Sequence, residues 1–279
     1  MNLLLSVHLL TYNNEKHIER TLLSILKQET VFKFEIVIGD DYSTDTTESI
    51  IIKYKKQYPE IINYQRNRKQ LGILKNFKET LDRCHGKYIF DIAGDDLLKH
   101  TYSLQKMVDT IQQDDRIGFV DSGYDEFYEK TKKTKTHLNK LMLSCSVEDY
   151  KTQLLLGKII PIGICYNKHY LYKYVDFDKY IKMGITIEDY PILVDLVMNT
   201  RFDRIEESLH IYRIHKHSYS HQQNFDSQVF IKNQMLNLVS YFSKKYNLSP
   251  KLYINYKNDY YKGMLYLAGF FGKKKFGKK

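Results

Sequence analysis

The chain has no tryptophan, three cysteines and four prolines among its 279 residues. The cysteines, Cys84, Cys145 and Cys165, are odd in number and widely spaced. That excludes a disulfide framework and a cysteine-based metal cluster, and it fits small core residues in a reducing, cytoplasmic setting. No run of about 18 apolar residues occurs, so the sequence predicts no transmembrane helix. The first ten residues lack a basic region and a small-residue cleavage site, so they predict a buried first strand rather than a signal peptide. With 43% hydrophobic and 27% charged residues the composition excludes a disordered or fibrous protein. The length suits one large α/β domain, alone or with an appendage.

Charge is unevenly placed. The formal net charge is +10, yet Lys251 to Lys279 holds eight lysines and a single acid, Asp259. A basic field over the whole protein would suggest nucleic acid. A basic tail on a near-neutral body suggests a local anionic surface instead, and no nucleic-acid partner is expected. In the tail, Tyr253, Tyr256, Tyr260, Met264, Leu267 and Phe271 fall at helical steps, with Lys273, Lys274, Lys275, Lys278 and Lys279 after them. An aromatic, basic helix of this kind either packs on the body of the protein or lies in an anionic membrane interface through residues 250–279.

The first half alternates strand and helix patterns. Leu3–Leu10 reads as a strand buried on both faces, and Ile18, Leu22, Ile25 and Leu26 recur at helical spacing. Phe34–Ile38 is the next strand, followed by a helix for which Asp45 and Glu48 resemble a capping box and which Pro59 stops. Ile61–Tyr64 is a short strand and Ile73–Cys84 a helix. Lys87–Ile92 is a strand, Leu104–Ile111 marks a helix, and Ile117–Val120 another strand. This order implies a mainly parallel sheet with right-handed crossovers, in which ligands gather beyond the carboxyl ends of the strands. Asp40-Asp41 and Asp95-Asp96 fall at such ends. Farther on, Lys130–Lys140 reads as a basic, polar loop. Glu148–Leu156 reads as helix, Ile159–Tyr166 as strand, and Ile187–Met198 as a helix with Pro191 in its first turn. Leu209–Ile214 reads as strand, and two helices follow Phe225, one to about Tyr246 and one from about Pro250.

Each acidic pair has two readings. Adjacent carboxylates at a strand end repel unless a cation or donors compensate, and Mg²⁺ commonly takes one or two carboxylates plus substrate phosphates. Gly94, ahead of the pair, would let a ligand approach the backbone. Equally, Asp40-Asp41 and Asp95-Asp96 can cap helices. Glu188-Asp189 either complements a helix dipole or supplies a general base. Arg213, His215 and His217 follow a strand, where they form a polar loop or meet phosphate and metal.

Order and spacing go further than any one motif. Ser6–Asn13, Leu23–Gln28, Glu35–Asp45, Leu71–Phe77, Cys84–Ile89, Ala93–Asp96, Glu188–Tyr190 and Tyr212–His215 together resemble family 2 glycosyltransferases over residues 3–220. The resemblance implies the α/β GT-A fold, a Rossmann-like, mainly parallel sheet flanked by helices, over residues 1–221, with a C-terminal helical extension over 222–279. It implies metal-dependent inverting transfer from a nucleotide-diphosphate sugar, most often a UDP-sugar, to a glycan or lipid-linked acceptor in surface polysaccharide assembly. Position by position it makes Thr11 and Asp41 contacts to base and ribose, puts Lys75 near the nucleotide, and gives Asp95 the donor's ribose or sugar. Asp96 becomes the ligand of Mn²⁺ or Mg²⁺, His215 reaches metal or diphosphate with Arg213 beside it, Asp189 is the base and Glu188 its support. The chain departs from the family in three ways: Leu97-Leu98 replaces an aromatic after the acidic pair, position 94 is Gly rather than an acid, and no Trp can stack on an acceptor sugar. Two other classes fit less well. A non-catalytic nucleotide-sugar or glycan-binding relative would lack the base or metal ligand. A nucleotidyltransferase would need a Gly-rich phosphate loop, which Thr11-Tyr12-Asn13-Asn14 is not.

Overall fold

The computed structural model describes residues 3–138, 146–216 and 224–272. Contacts divide the chain into two units, Met1–Val147 with Ile160–Ile214, and Glu148–Ile159 with His215–Lys279. His217, Cys145 and the lysines from Lys273 onward lie outside the described residues.

The first unit begins with the predicted alternation: β1 (Leu3–Thr11), α1 (Ile18–Leu26), β2 (Lys33–Asp40), α2 (Thr47–Gln57), β3 (Ile62–Arg66), α3 (Ile73–Leu81) and β4 (Tyr88–Ala93). It continues with β5 (Leu97–Leu98), α4 (Ser103–Ile111), β6 (Ile117–Tyr128) and β7 (Lys133–His137). After α5 (Val147–Leu155), which belongs to the second unit apart from its first residue, come β8 (Cys165–Asn167), α6 (Lys168–Tyr174), α7 (Phe177–Lys182), α8 (Asp189–Asn199) and β9 (Arg201–Ile214). The sheet runs β3-β2-β1-β4-β8-β6-β9-β5, with β7 on the outside of β6. β1 is parallel to β2 and β4, and β2 to β3. Beyond β4, β8 is antiparallel to both neighbours, β6 and β9 are parallel, and β5 and β7 add antiparallel edges.

The side chains of β1 explain the layering. Leu5, Val7 and Leu9 point into a fully buried cluster with Ile18, Leu22 and Ile25 of α1 and with Ile36, Ile38, Phe90 and Ile92 of the flanking strands. The alternate positions, Ser6 and His8, face the other side and are also fully buried. There α3 lies close to the sheet: the Asn76 amide donates to Gly39 O at 3.0 Å, and the Phe77 ring is 4.4 Å from His8. Val37 and Ile89 share that face and are fully buried, so Ser6, His8 and Asp91 are polar groups set into an apolar layer, and they lead to the carboxylates described below. Farther along the sheet, Asp121 of β6 and Arg204 of β9 form a buried pair at 3.1 Å.

Several expectations need correction. Within Lys130–Lys140 there is a strand, β7, pairing Tyr124–Tyr128 of β6. Most of its side chains are exposed, so it has no apolar alternation to announce it. β8 is three residues long: Ile159 to Ile164 lie outside the strand, although Ile164 O still accepts the Asp91 N–H of β4 at 3.0 Å. The capping box at Asp45 and Glu48 does not form. Asp45 Oδ1 accepts the Thr47 N–H at 3.0 Å from outside the helix, while Glu48 turns to Arg66 at 3.5 Å.

The second unit contains α5, α9 (Phe225–Lys245) and α10 (Pro250–Phe270). Asn224 caps α9 by accepting the Ser227 N–H at 2.7 Å, and Pro250 opens α10. Leu238, Val239, Phe242, Met264 and Ala268 are buried. A groove of about 530 Å³ is lined by Lys158, Ser249, Lys251, Asn255, Asp259 and Lys262 among others, and Lys158 and Asp259 lie 3.9 Å apart in it. No helix of the described residues is long and apolar enough to cross a membrane.

Candidate active site

The carboxyl ends of β1, β2 and β4 lie side by side, in register from Leu10–Gly39 and Leu10–Ala93. At the β1 end, Thr11 O accepts the Asp41 N–H at 2.9 Å and Thr11 Oγ1 accepts from the Asn14 amide at 3.2 Å. Asp40 is inward and structural: it accepts from Ser43 N and Tyr64 OH. Asp41 is 5% exposed. It accepts from Asn67 Nδ2 at 3.0 Å, Leu71 N at 2.7 Å and Gly72 N at 2.9 Å. A carboxylate offers about four lone-pair sites, so three bonds leave one for a ligand. Asp41 thus also fixes the loop into α3, whose first turn carries the exposed Lys75.

At the β4 end, Asp96 is 5% exposed and its Oδ1 accepts the Arg213 N–H from the end of β9 at 2.8 Å. Arg213 Nε donates to Asp95 O at 2.9 Å, and its guanidinium lies 5.4 Å from the Phe127 ring centre. Burial, together with the neighbouring Asp95, pushes the Asp96 carboxyl well above the usual range; the Arg213 N–H and charge pull the other way. The structure therefore joins Asp95, Asp96 and Arg213. Gly94 has a packing reason of its own. A Cβ there would meet Thr11 Oγ1 at 2.6 Å and Asn14 Nδ2 at 2.9 Å, so an acid does not fit at this position.

Glu188 and Asp189 open α8, and Asp189 Oδ1 accepts the Tyr190 N–H at 2.6 Å. Burial raises both carboxyls above their ordinary values. Asp189 and Asp91 add to the shift of Glu188, and Asp91 adds to that of Asp189. Asp91 also raises Asp96. This carboxylate, in the middle of β4, links the two acidic pairs and is absent from the sequence reading. Its partner is His8, directly opposite in register, with Nδ1 at 2.6 Å from Asp91 Oδ1 and Nε2 at 3.0 Å from Phe77 O. Both ring nitrogens face acceptors. The buried Tyr166 of β8 lies in the same field: burial raises its phenol, and Asp91, Asp189 and Glu188 add to the shift. His17 and Glu129 are further polar residues that the reading passed over. They lie 3.9 Å apart, with Arg213 Nη1 3.9 Å from Glu129. His215 follows β9 directly and is the first residue of the second unit.

The donor set suits a divalent cation. Asp96 is buried, destabilised as an anion and adjacent to a second carboxylate, so oxygen-loving Mg²⁺ or Mn²⁺ would relieve it.

The family model for glycosyl transferase family 2 matches residues 6–177, which span both strand-end acidic pairs. The chain belongs to glycosyltransferase family 2. An uncharacterised protein of Mycobacterium tuberculosis is 34% identical over 104 residues, 37% of this chain and 30% of that protein. The abequosyltransferase RfbV of Salmonella typhimurium is 36% identical over 97 residues, 34% of this chain and 29% of that protein. The chain thus matches about 30% of the length of these relatives. An uncharacterised glycosyltransferase of Haemophilus influenzae is 24% identical over 265 residues, covering 89% of this chain and 77% of its own. Among solved structures, Staphylococcus aureus TarS with UDP-GlcNAc superposes with a TM-score of 0.61 at 15% identity, covering 92% of this chain and 80% of TarS. The Pyrobaculum calidifontis mannosyltransferase PcManGT, with GDP-Man and Mn²⁺, gives 0.62 at 15% identity, covering 95% and 69%. These likenesses establish the fold as GT-A. Asp40-Asp41 and Asp95-Asp96 follow β2 and β4, the two strands that flank β1, and Arg213 bonds to Asp95 and Asp96.

Proposed function

We propose that the chain is a metal-dependent inverting glycosyltransferase. It moves a sugar from a nucleotide-diphosphate donor, with UDP the first nucleotide to test, to a hydroxyl of a glycan or lipid-linked acceptor in surface polysaccharide assembly. The observation that carries the proposal is the buried Asp96 just beyond the end of β4, with Arg213 held against Asp95 and Asp96, and with Asp91 of the same strand adding to the raised proton affinity of Asp96, Glu188 and Asp189 alike. Binding alone does not call for a second acidic pair of raised proton affinity; proton abstraction does.

In this reading Thr11, Asp41 and Lys75 hold the nucleoside end of the donor, and Asp95 holds its ribose or sugar. Asp96 would hold Mn²⁺ or Mg²⁺, which supplies positive charge to the leaving diphosphate. Asp189 takes the proton of the acceptor hydroxyl, whose oxygen bonds to the anomeric carbon from the face opposite the diphosphate. The bond from that carbon to the diphosphate oxygen breaks, and the configuration inverts. The Arg213 guanidinium offsets charge growing on the leaving group, burial and Asp91 keep the proton affinity of Asp189 high, and Glu188 supports the base from the adjacent position. Asp189→Asn should abolish transfer and leave donor binding intact. Turnover at the wild-type rate in that variant would remove Asp189 from the role of base.

A membrane-held acceptor has separate support. On α10 the exposed Ile254, Tyr261 and Leu265 share one face, with Lys251, Lys257 and Lys262 around it. An apolar strip edged by lysines suits the surface of an anionic bilayer.

A further inference from the structure

Two non-glycine residues at the ends of β1 and β2 have left-handed backbone, Asn13 at φ 52° and Tyr42 at φ 70°. Asparagine visits this region readily, and Asn13 is compensated on the spot because its Oδ1 accepts the Thr44 N–H at 2.8 Å. A tyrosine side chain offers the local backbone no such bond, and a bulky residue with positive φ is a true outlier. A turn that needed only this backbone shape would take glycine without strain. Here the strain places an aromatic ring immediately after Asp41.

The ring is braced. The Arg66 guanidinium lies 4.3 Å from its centroid. Arg66 is itself fixed, donating to Ser43 O through Nη2 at 2.7 Å and Nε at 3.3 Å, with Glu48 at 3.5 Å. Ser43 Oγ in turn accepts the Asn13 N–H at 2.9 Å, which ties this turn to the end of β1 beyond Thr11. Tyr42 remains 39% exposed. The result is a stiff aromatic surface, backed by a cation, at the end of the sheet assigned above to the nucleoside. Strained residues that their surroundings hold in place are a mark of working sites.

We propose that Tyr42 is a stacking platform for the planar base of the donor nucleotide, held ready by Arg66. The proposal rests on the reading that the nucleotide binds at the ends of β1 and β2. Stacking on an aromatic face tolerates any base, so Tyr42 contributes affinity, while the hydrogen bonds around it choose the base.

The test is calorimetric titration of UDP, GDP, CDP, dTDP and inorganic pyrophosphate, each with Mn²⁺, into wild type, Tyr42→Gly and Tyr42→Phe, with melting temperatures alongside. For the nucleotide that wild type binds, Tyr42→Gly should weaken affinity by about tenfold or more, the range of base stacking on an aromatic. Its affinity for pyrophosphate should not change, and its melting temperature should hold or rise, because glycine relieves the positive φ. Tyr42→Phe should bind like wild type. Nucleotide affinity equal to wild type in Tyr42→Gly overturns the platform and leaves the nucleotide site standing. So does an equal loss for pyrophosphate, or a loss of affinity that comes with a fall in melting temperature, the signature of a ring that only supports the turn. A Tyr42→Phe variant as weak as Tyr42→Gly overturns it too, because the hydroxyl rather than the ring face would then be the contact. Failure of wild type to bind any of the four nucleotides removes the site reading itself, and the platform with it.

Discussion

Alanine at position 39 should unseat helix α3 from the sheet. A Cβ on Gly39 overlaps Thr80 Oγ1 outright and lies 2.9 Å from Asn76 Oδ1 and 3.1 Å from Thr80 Cβ. Thr80 is 0% and Asn76 2% exposed, so neither can swing into solvent and the helix must lift. Lifting stretches two buried bonds, Asn76 to Gly39 O and His8 Nε2 to Phe77 O, each 3.0 Å. Overpacking costs about 1–3 kcal/mol, and a buried polar group left unpaired about 1–3 kcal/mol more, so the total is about 2–6 kcal/mol. At about 2–4 °C per kcal/mol for a unit of this size, Gly39→Ala should melt about 4–24 °C below wild type by circular dichroism or scanning fluorimetry. The remedy is specific. Thr80 Oγ1 is buried with no hydrogen-bond partner, so Thr80→Ala removes the worst overlap and breaks no side-chain bond, leaving the lesser contacts with Asn76 Oδ1 and the Cβ of residue 80. Adding Thr80→Ala to Gly39→Ala should recover at least half of the lost stability. Because Leu71 and Gly72, which hold Asp41, lead into α3, nucleotide affinity should fall and recover in step. A single variant that melts with wild type, or a double variant no more stable than the single one, would refute the close seating of α3.

Two further outcomes follow. Folding raises the proton affinity of Glu188 and Asp189, so the folded state binds more protons than the unfolded one, and stability declines as pH rises through and above the ordinary carboxylate range. In chelator, Glu188→Gln should therefore melt higher than wild type at pH 8, with the gap closing near pH 4; melting curves with no pH-dependent gap would contradict this. The α10 face predicts co-sedimentation with vesicles containing anionic lipid, weakened when Ile254, Tyr261 and Leu265 become serine. Binding unchanged by those substitutions would leave α10 out of any membrane contact.

The parts of the fold that are plain in the sequence are those whose burial writes a period into the chain. Leu5, Val7 and Leu9 against Ile18, Leu22 and Ile25 fix β1 and α1, and the acidic pairs stand out because they interrupt apolar strands at their ends. β7 is hidden because a solvated edge strand has no buried face to mark. β5 is hidden because two leucines cannot declare a strand until β9 is there to pair them. The site shows the same limit. Asp96, Asp189 and Arg213 can be named from motif order, but Asp91 and His8 lie inside strands that otherwise read as apolar. Only the parallel register of β1 and β4 sets them opposite each other. Arg213 acts on Asp96 through its backbone N–H, which no residue type records. The glycine at 94, a departure in the sequence, has its explanation in the nearness of Thr11 and Asn14, contacts that exist only in the folded chain.

The central claim is that Asp96 lies at the centre of a metal-dependent nucleotide site. It is tested most directly by calorimetric titration of UDP, GDP, CDP and dTDP, with Mn²⁺ and with chelator, into wild type and Asp96→Asn. Asparagine keeps an acceptor for the Arg213 N–H, so the variant should fold and melt no lower than wild type in chelator. The account predicts that wild type binds one nucleotide far more tightly with Mn²⁺ than without, and that Asp96→Asn loses that metal-dependent increment, about tenfold or more in affinity. Binding that is the same with and without metal, or the same in Asp96→Asn, would contradict it.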